Sequence, residues 1–214
     1  MLREYLELLD KGKLEAAEAV RLKSIPDYLY KFYPLSSLGY GKNDLRTFRT
    51  LSSGSIWLSS LQKYNDPFEG IGMYFDSNKL KEMGISLEIV QEMEDKFTSQ
   101  FATSSFTTEL NNIAMWAYYA NDHKGFCIRY RIINKKVFYK MHYLEKRIPL
   151  YQILLKAISE TRKAGHEAVS NGYYNKYHVM MLQKYNIKHE SWKNEKEYRL
   201  LYSKLNGNDG VITN

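Results

Sequence analysis

The chain has 214 residues, enough for one sizeable hydrophobic core, and its 44% hydrophobic and 26% charged fractions exclude an intrinsically disordered protein. No apolar run reaches the roughly 20 residues that span a bilayer, and the charged N-terminus lacks the apolar centre of a signal peptide. The single cysteine, Cys127, excludes an intramolecular disulfide framework and a two-cysteine zinc site. We therefore expect a cytoplasmic protein without a membrane partner.

The formal net charge of +7 is compatible with a nucleotide or nucleic-acid partner. The alternative is a generally solubilising surface, because the lysines are spread along the chain rather than gathered into one block. The 19 tyrosines could stack on bases, although tyrosine at core-like spacing is usually half-buried. Composition leaves both interpretations open.

The chain begins with two short amphipathic helices within residues 2–22, which Gly12 divides and Pro26 ends. The predicted elements that follow are a strand at 28–33, a helix at 44–51, a strand at 55–60, a turn at 65–67, a helix at 80–97, a strand at 101–107, a helix at 111–120, strands at 125–130, 137–139 and 141–143 that extend one sheet, a long helical stretch at 151–185 and a last strand at 198–202. This order predicts a single α+β domain, residues 26–214, with a mixed, mostly antiparallel sheet flanked by helices. Residues 1–25 form an N-terminal helical extension to it.

Three segments, residues 65–69, 116–125 and 192–199, place aromatic side chains beside ionisable ones. Such pairing is typical of a pocket in which a few polar groups are desolvated, so we expect the segments to meet, with Glu69, His123 and Glu197 within one ligand length. The ligand-binding candidates in these segments are Asn65, Asp66, Glu69, Trp116, Tyr119, His123, Trp192 and Arg199. For Asp66 and Glu69 the alternative is capping of free backbone N–H groups, and for His123 it is a hydrogen bond that shapes its loop.

The sequence Glu195-Lys196-Glu197 provides the strongest catalytic candidates. At the start of a strand the two carboxylates would share one face, where each raises the cost of ionising the other. Arg199 would continue that face and offset the repulsion. The alternative is a solvated Glu–Arg ladder worth about a few tenths of a kcal/mol. Trp192 disfavours that alternative, because a tryptophan just ahead of the strand suggests partial burial. For the catalytic interpretation we expect Glu197 to matter more for activity than for folding, so that Glu197→Gln, treated as a mostly solvated change, costs well under about 1 kcal/mol of stability.

Several enzyme classes lack their signatures here. The chain has no GxSxG, Walker or GxGxxG motif, which argues against serine hydrolases, P-loop NTPases and Rossmann dehydrogenases. The five histidines form no HxxxH or HxH pair, so we expect no metal site. Cys127 lies between Phe126 and Ile128 and is predicted to be an inert core thiol rather than a nucleophile.

The order and spacing of these motifs resemble the bacterial family catalogued as domain of unknown function 2971 (DUF2971). The resemblance is carried by residues 29–33, 51–60, 65–69, 104–107, 116–125 and 192–199, and it covers about residues 28–202. The family name carries no activity. This resemblance therefore implies kinship and leaves the chemistry open.

A second resemblance, to ADP-ribosyltransferases, implies a chemistry. Those enzymes place a basic or polar residue on a first strand, a serine on a following strand and an E-x-E sequence on a late strand. Lys31 and Tyr33, then Ser105, then Glu195 and Glu197 follow that order. The resemblance implies that NAD is a substrate: the basic residue would hold its pyrophosphate, the serine would position the ribose and the last glutamate would stabilise the oxocarbenium ion. Lys31 departs from the pattern, because it is neither the bidentate arginine nor the histidine of the two subclasses.

Three functional hypotheses follow. The first is an ADP-ribosyltransferase-like domain that modifies a macromolecule in a toxin or phage-defence setting, with Trp116 or Tyr119 covering the nicotinamide and no metal involved. The second is a non-catalytic module that binds a nucleotide or nucleic acid through its basic surface. The third is a metal-free hydrolase that acts through its carboxylates. Thermal stabilisation by NAD favours the first hypothesis, and salt-sensitive binding without nicotinamide release favours the second.

Overall fold

The structure is a computed structural model that describes residues 2–36, 41–61, 73–99, 101–149, 185–203 and 211–213. Its α-helices are α1 (Leu2–Asp10), α2 (Leu14–Lys23), α3 (Lys42–Ser52), α4 (Ser77–Glu82), α5 (Leu87–Ser99) and α6 (Ile113–Tyr119). Its strands are β1 (Tyr28–Tyr33), β2 (Ser55–Trp57), β3 (Ser59–Ser60), β4 (Met73–Tyr74), β5 (Phe101–Thr107), β6 (Phe126–Arg131), β7 (Phe138–Lys140), β8 (His142–Leu144), β9 (Ile148–Pro149), β10 (Ile187–His189), β11 (Glu197–Ser203) and β12 (Val211–Thr213). Short 3₁₀ helices span Lys135–Val137 and Glu190–Glu195. The predicted α+β class is confirmed, and none of the described helices is both long and apolar enough to cross a bilayer.

The described residues form two compact units whose segments alternate along the chain. The first unit comprises the described residues within Met1–Ser24, Asn65–Asp95 and His142–Ser191. The second unit comprises those within Ile25–Tyr64, Lys96–Met141 and Trp192–Asn214. The proposed boundary between an extension at residues 1–25 and a domain at residues 26–214 stays a prediction.

In the first unit, α1 and α2 pack against each other through a small cluster of Tyr5, Leu9 and Ala17. Gly12 separates the two helices with a left-handed φ of 72°, a conformation that glycine adopts without steric cost. The predicted pair of N-terminal helices is therefore confirmed. The single helix predicted at 80–97 is wrong, because Gly84 takes a φ of 67° and ends α4 before α5 begins.

The strand predicted at 141–143 does not extend the main sheet. Strand β8 instead forms a parallel pair with β10, in which His142 lies opposite Ile187. The pairing begins where the His142 N–H donates to the carbonyl of Asn186 at 2.8 Å. The helix predicted at 151–185 lies outside the described residues, apart from its last position.

The second unit contains the main sheet, which is antiparallel and has the strand order β6-β1-β5-β11-β7, with β3 also paired to β5. Strand β11 pairs with β5 along its whole length, from Glu197 opposite Thr107 to Ser203 opposite Phe101. Strands β1 and β5 occupy the predicted positions, because their apolar and β-branched residues fit a pleated, largely buried surface. The predicted mostly antiparallel sheet is confirmed.

One face of the main sheet, here called the apolar face, carries Leu29, Phe106, Tyr198 and Leu200 and forms the hydrophobic core. The Phe106 ring meets the Phe138 ring edge-on, with centroids 5.4 Å apart. Fully burying each large apolar side chain of this kind contributes roughly 1.5–3 kcal/mol, so this face supplies much of the unit's stability.

Candidate functional site

The two candidate glutamates lie at the start of β11, and both are buried, with Glu195 6% and Glu197 5% exposed. Glu195 is the last residue of the 3₁₀ helix, and β11 begins at Glu197. Lys196 between them adopts a left-handed φ of 42°, which breaks the alternation of side chains along a strand. Glu195 therefore lies before the strand rather than on it, so strand alternation does not decide the side that its carboxylate takes, and each carboxylate has its own partners.

Glu197 forms a buried ion pair with Arg199, which lies two residues further along β11. The Arg199 Nε donates to Glu197 Oε1 at 2.8 Å, and Nη2 lies 3.4 Å from Oε2. Arg199 is only 1% exposed, so the solvated Glu–Arg ladder is excluded. Desolvating two charges costs several kcal/mol per ion, which the attraction between them often fails to recover. A buried ion pair therefore contributes little net stability. A role in folding alone does not account well for this pair, which favours a functional role for Glu197.

Glu195 is held in place by α6 and β5. The Tyr119 hydroxyl donates to Glu195 Oε1, and Thr107 Oγ1 donates to the Glu195 carbonyl oxygen at 2.6 Å. Asn112, the N-cap of α6, donates from its side-chain amide to the Asn194 carbonyl oxygen at 2.7 Å. Sequence reasoning did not single out Thr107 or Asn112 as site residues. The available signal for Asn112 was its position just before an apolar helix.

The opposite side of the main sheet, here called the polar face, carries Ser105, Thr107, Glu197 and Arg199. Ser105 lies opposite Arg199, and Thr107 lies opposite Glu197, in the pairing of β5 with β11. Residues opposite each other on antiparallel strands project to the same side of the sheet. The structure therefore brings Ser105 together with Glu197 and Arg199, as the candidate site requires.

Lys31 projects to the apolar face instead, because its neighbour Tyr30 pairs with Thr107 of the polar face. Its Nζ donates to the Ser105 carbonyl oxygen at 3.2 Å and lies 5.4 Å from the centroid of the Phe106 ring. Burial lowers the pKa of the Lys31 amine to about 8, and the negative charge of Glu197 partly opposes this shift. The structure thus accounts for Lys31 as a half-buried residue whose amine bonds to the backbone.

Tyr33 accompanies Lys31 on the apolar face. Its hydroxyl lies 2.6 Å from the Tyr130 hydroxyl, and its ring stacks on Phe126 with centroids 5.2 Å apart. Burial, followed by the bond to Tyr130, raises the pKa of the Tyr33 hydroxyl. The structure does not bring Lys31 and Tyr33 to the face that carries Ser105 and Glu197.

Trp116 anchors α6 to the main sheet. Its ring meets Phe32 of β1 edge-on at 4.9 Å, and its Nε1 donates to the Leu110 carbonyl oxygen at 2.8 Å. Cys127 packs in the same cluster, where burial raises the pKa of its thiol to about 11. A thiol that is protonated at neutral pH is a weak nucleophile, which agrees with the inert cysteine predicted from the sequence.

The loop after α6 has an unusual backbone. Asn121, Asp122 and His123 take successive left-handed φ values of 48°, 51° and 65°, each of which costs a non-glycine residue roughly 1–2 kcal/mol. Hydrogen bonds help to hold this turn, including His123 N–H to the Trp116 carbonyl at 3.3 Å. The His123 side chain is exposed, so its backbone shapes the loop while the imidazole stays accessible.

The remaining candidates are Trp192, Asn65, Asp66 and Glu69. Trp192 is half-buried in the 3₁₀ helix that leads to Glu195. Asn65, Asp66 and Glu69 lie outside the described residues, so a pocket shared by Glu69, His123 and Glu197 stays a prediction. Within the described part of the chain, no three His, Cys, Asp or Glu side chains are grouped so that they could hold a metal ion.

Residues 115–200 match the family described as "Protein of unknown function (DUF2971)". The match begins inside α6 and ends inside β11, so it spans Trp116, Tyr119, His123 and both candidate glutamates. The expected resemblance to this family is confirmed over these residues. No curated protein and no solved structure matched the chain.

Proposed function

We propose that the chain binds NAD on the polar face of its main sheet and transfers ADP-ribose to a macromolecular acceptor. The observation that carries this proposal is the pair of buried carboxylates at the start of β11, each with a separate partner. Ser105 and Thr107 on the neighbouring strand add hydroxyl groups on the same side of the sheet. A strand with hydroxyl side chains followed by an E-x-E sequence is the order in which the chain resembles ADP-ribosyltransferases.

The proposed reaction breaks the bond between C1′ of the ribose and the nicotinamide nitrogen. Nicotinamide leaves with the bonding electron pair, and positive charge develops on C1′ and the ring oxygen. Glu197, fixed by Arg199, offers a preorganised negative charge to that transition state. An acceptor nucleophile then bonds to C1′ and loses its proton to Glu195, whose carboxylate is oriented by Tyr119.

The proposal does not use Lys31 to hold the pyrophosphate, since that amine lies on the apolar face and bonds to a backbone carbonyl. It assigns Ser105 to the ribose, because Ser105 lies opposite Arg199 and next to the ion pair along the sheet. The toxin or defence setting stays a prediction.

The test combines thermal unfolding in the presence of NAD or ADP-ribose with an assay of nicotinamide release. We expect wild-type protein to be stabilised by NAD and to release nicotinamide. Glu197→Gln should lower that rate on the order of 10²–10³-fold, the usual effect of losing one electrostatic stabiliser, with a milder loss for Glu195→Gln. Circular dichroism of each variant establishes that it is folded at the assay temperature.

Glu109→Gln is the matched control, because Glu109 is a nearby carboxylate that binds Lys196 at 2.6 Å outside the carboxylate pair. It should release nicotinamide at the wild-type rate. Wild-type protein that is neither stabilised by NAD nor able to cleave it would make the transferase proposal wrong. Glu197 would then be a structural partner of Arg199.

A further inference from the structure

We infer that the outer surface formed by α3 and β2 binds single-stranded nucleic acid. This surface, called the α3 surface below, consists of Lys42, Arg46, Phe48, Arg49 and Trp57. It is independent of the proposed NAD chemistry, because none of its residues belongs to the carboxylate site. The inference rests on where the charges of the chain lie, on the geometry of α3 and on two exposed aromatic rings.

The net charge of +7 is unevenly divided between the two units. The segments of the second unit contain sixteen Lys and Arg against seven Asp and Glu, a net charge of +9, whereas the first unit has fifteen against seventeen, or −2. Several acidic side chains of the second unit are also engaged internally. Glu195 is buried beside Tyr119. Glu197 pairs with Arg199 and Glu109 bonds to Lys196, so each of these two pairs takes up one cation with one anion and leaves the excess of the unit unchanged. The second unit therefore presents a cationic surface to solvent, as expected for a polyanion-binding unit.

Helix α3 concentrates this charge on one side. Lys42, Arg46 and Arg49 follow the i, i+4, i+7 spacing of one helix face, and all three side chains are exposed. Asp44 is the acidic residue of the helix, and it is buried, with its carboxylate accepting from the Gly41 N–H at 2.9 Å. Asp44 therefore does not neutralise the outer cations, and these stay exposed to solvent, where phosphates can reach them.

One exposed aromatic ring lies against these cations, and a second is exposed elsewhere on α3. Trp57 of β2 is 45% exposed and carries the Arg46 guanidinium 4.6 Å from its ring centroid. Phe48 is also 45% exposed, and its ring lies nearly parallel to Phe126, at 9° and 6.2 Å. An exposed ring beside exposed cations is a combination that binds single strands, whose unpaired bases stack while their phosphates pair. Duplex DNA keeps its base faces covered, so it would use only the cations.

The experiment measures the binding of full-length protein to a short fluorescent oligodeoxythymidine and to oligouridine, by anisotropy. The titrations are repeated from about 50 to about 200 mM salt, because each phosphate contact contributes about 0.7 to the slope of log K against log salt. Arg46→Gln with Arg49→Gln should weaken binding at least about tenfold and reduce the slope by about 1.4. Trp57→Ala should weaken binding about tenfold, and Trp57→Phe should retain most of the affinity.

The matched control is Lys124→Gln with Lys193→Gln, which removes two exposed cations of the same unit from outside α3. It should change the affinity by less than about threefold, since only distant screening is altered. Equal losses from both double variants would overturn the inference, because binding would then follow net charge. Failure of wild-type protein to bind either oligonucleotide, or binding to anionic lipid vesicles alone, would also overturn it, as would an unchanged affinity after Trp57→Ala.

Discussion

Breaking the buried pair of Glu197 and Arg199 should be costly, and removing both charges should be less costly than the two single changes predict. Arg199→Met leaves the Glu197 carboxylate buried without the guanidinium that lies 2.8 Å away. Loss of one partner of a buried pair costs about 3–5 kcal/mol, because the remaining charge cannot be rehydrated. Glu197→Gln should fall at the lower end of that range, since its amide oxygen can still accept from Arg199. This replaces the cost of well under about 1 kcal/mol expected for a solvated glutamate.

The measurement is urea unfolding of wild type, both single variants and the double variant, assembled as a double-mutant cycle. Domains of this kind have about 5–15 kcal/mol of stability, so a loss of about 3–5 kcal/mol is a large fraction of the total and should lower the urea midpoint clearly. In the double variant neither charge of the pair remains, so its loss should be smaller than the sum of the single losses by about 1–3 kcal/mol. Losses that add to within about 0.5 kcal/mol would show that the two side chains do not stabilise each other.

Two further perturbations test the second unit. The first concerns the difference in the free energy of unfolding between wild type and Lys31→Met. This difference should rise in favour of wild type between about pH 8 and about pH 10.5, by at most about 3 kcal/mol. The reason is that in this pH range Lys31 keeps its proton in the unfolded chain and has lost it in the folded protein. Below about pH 8 this difference should be constant. Denaturant titrations that show the same difference from below about pH 8 to about pH 10.5 would contradict the lowered pKa of Lys31. Gly125→Ala should cost at least about 1–3 kcal/mol, since its Cβ would lie 2.1 Å from the Tyr33 carbonyl oxygen. Gly12→Ala is the control, because its Cβ would meet no neighbour, and it should cost about 1 kcal/mol from the positive φ alone. Equal shifts in unfolding temperature for Gly125→Ala and Gly12→Ala would argue against a steric clash at Gly125.

Local pattern predicted the elements that depend on local chemistry. The strands at 28–33 and 101–107 were placed correctly, because their residue types suit a pleated, buried surface. The partner of β8 was not predictable, since it depends on β10, more than forty residues away along the chain. Gly84 was overlooked within a polar helical pattern, where one glycine in the left-handed region is enough to end a helix.

The sequence predicted which residues form the candidate site better than it predicted the face of the sheet to which each side chain projects. Glu197, Arg199 and Ser105 meet because strand alternation projects them to one side, a rule that can be read from sequence once the register is known. The register of β1 against β5 is not visible in the sequence, and it is this register that sends Lys31 to the opposite face. The last strand begins at Glu197 rather than at the predicted residue 198, and Glu195 stays outside it because Lys196 takes a left-handed φ that its residue type does not favour.

The two proposals both depend on where the charged side chains of the second unit lie: Glu195 and Glu197 are buried, whereas the cations of α3 are on the surface. Glu195 and Glu197 are buried beside polar partners, where a negative charge is worth most to a developing cation, because little water screens it. Arg46 and Arg49 are exposed, where a positive charge costs little desolvation and can still attract a polyanion. Whole-chain totals of 31 basic and 24 acidic residues conceal this arrangement, since it arises only when strand pairing turns the carboxylates inward. Substitutions at the two places should therefore act independently: Arg46→Gln with Arg49→Gln should leave stabilisation by NAD unchanged, and Glu195→Gln should leave oligonucleotide affinity unchanged.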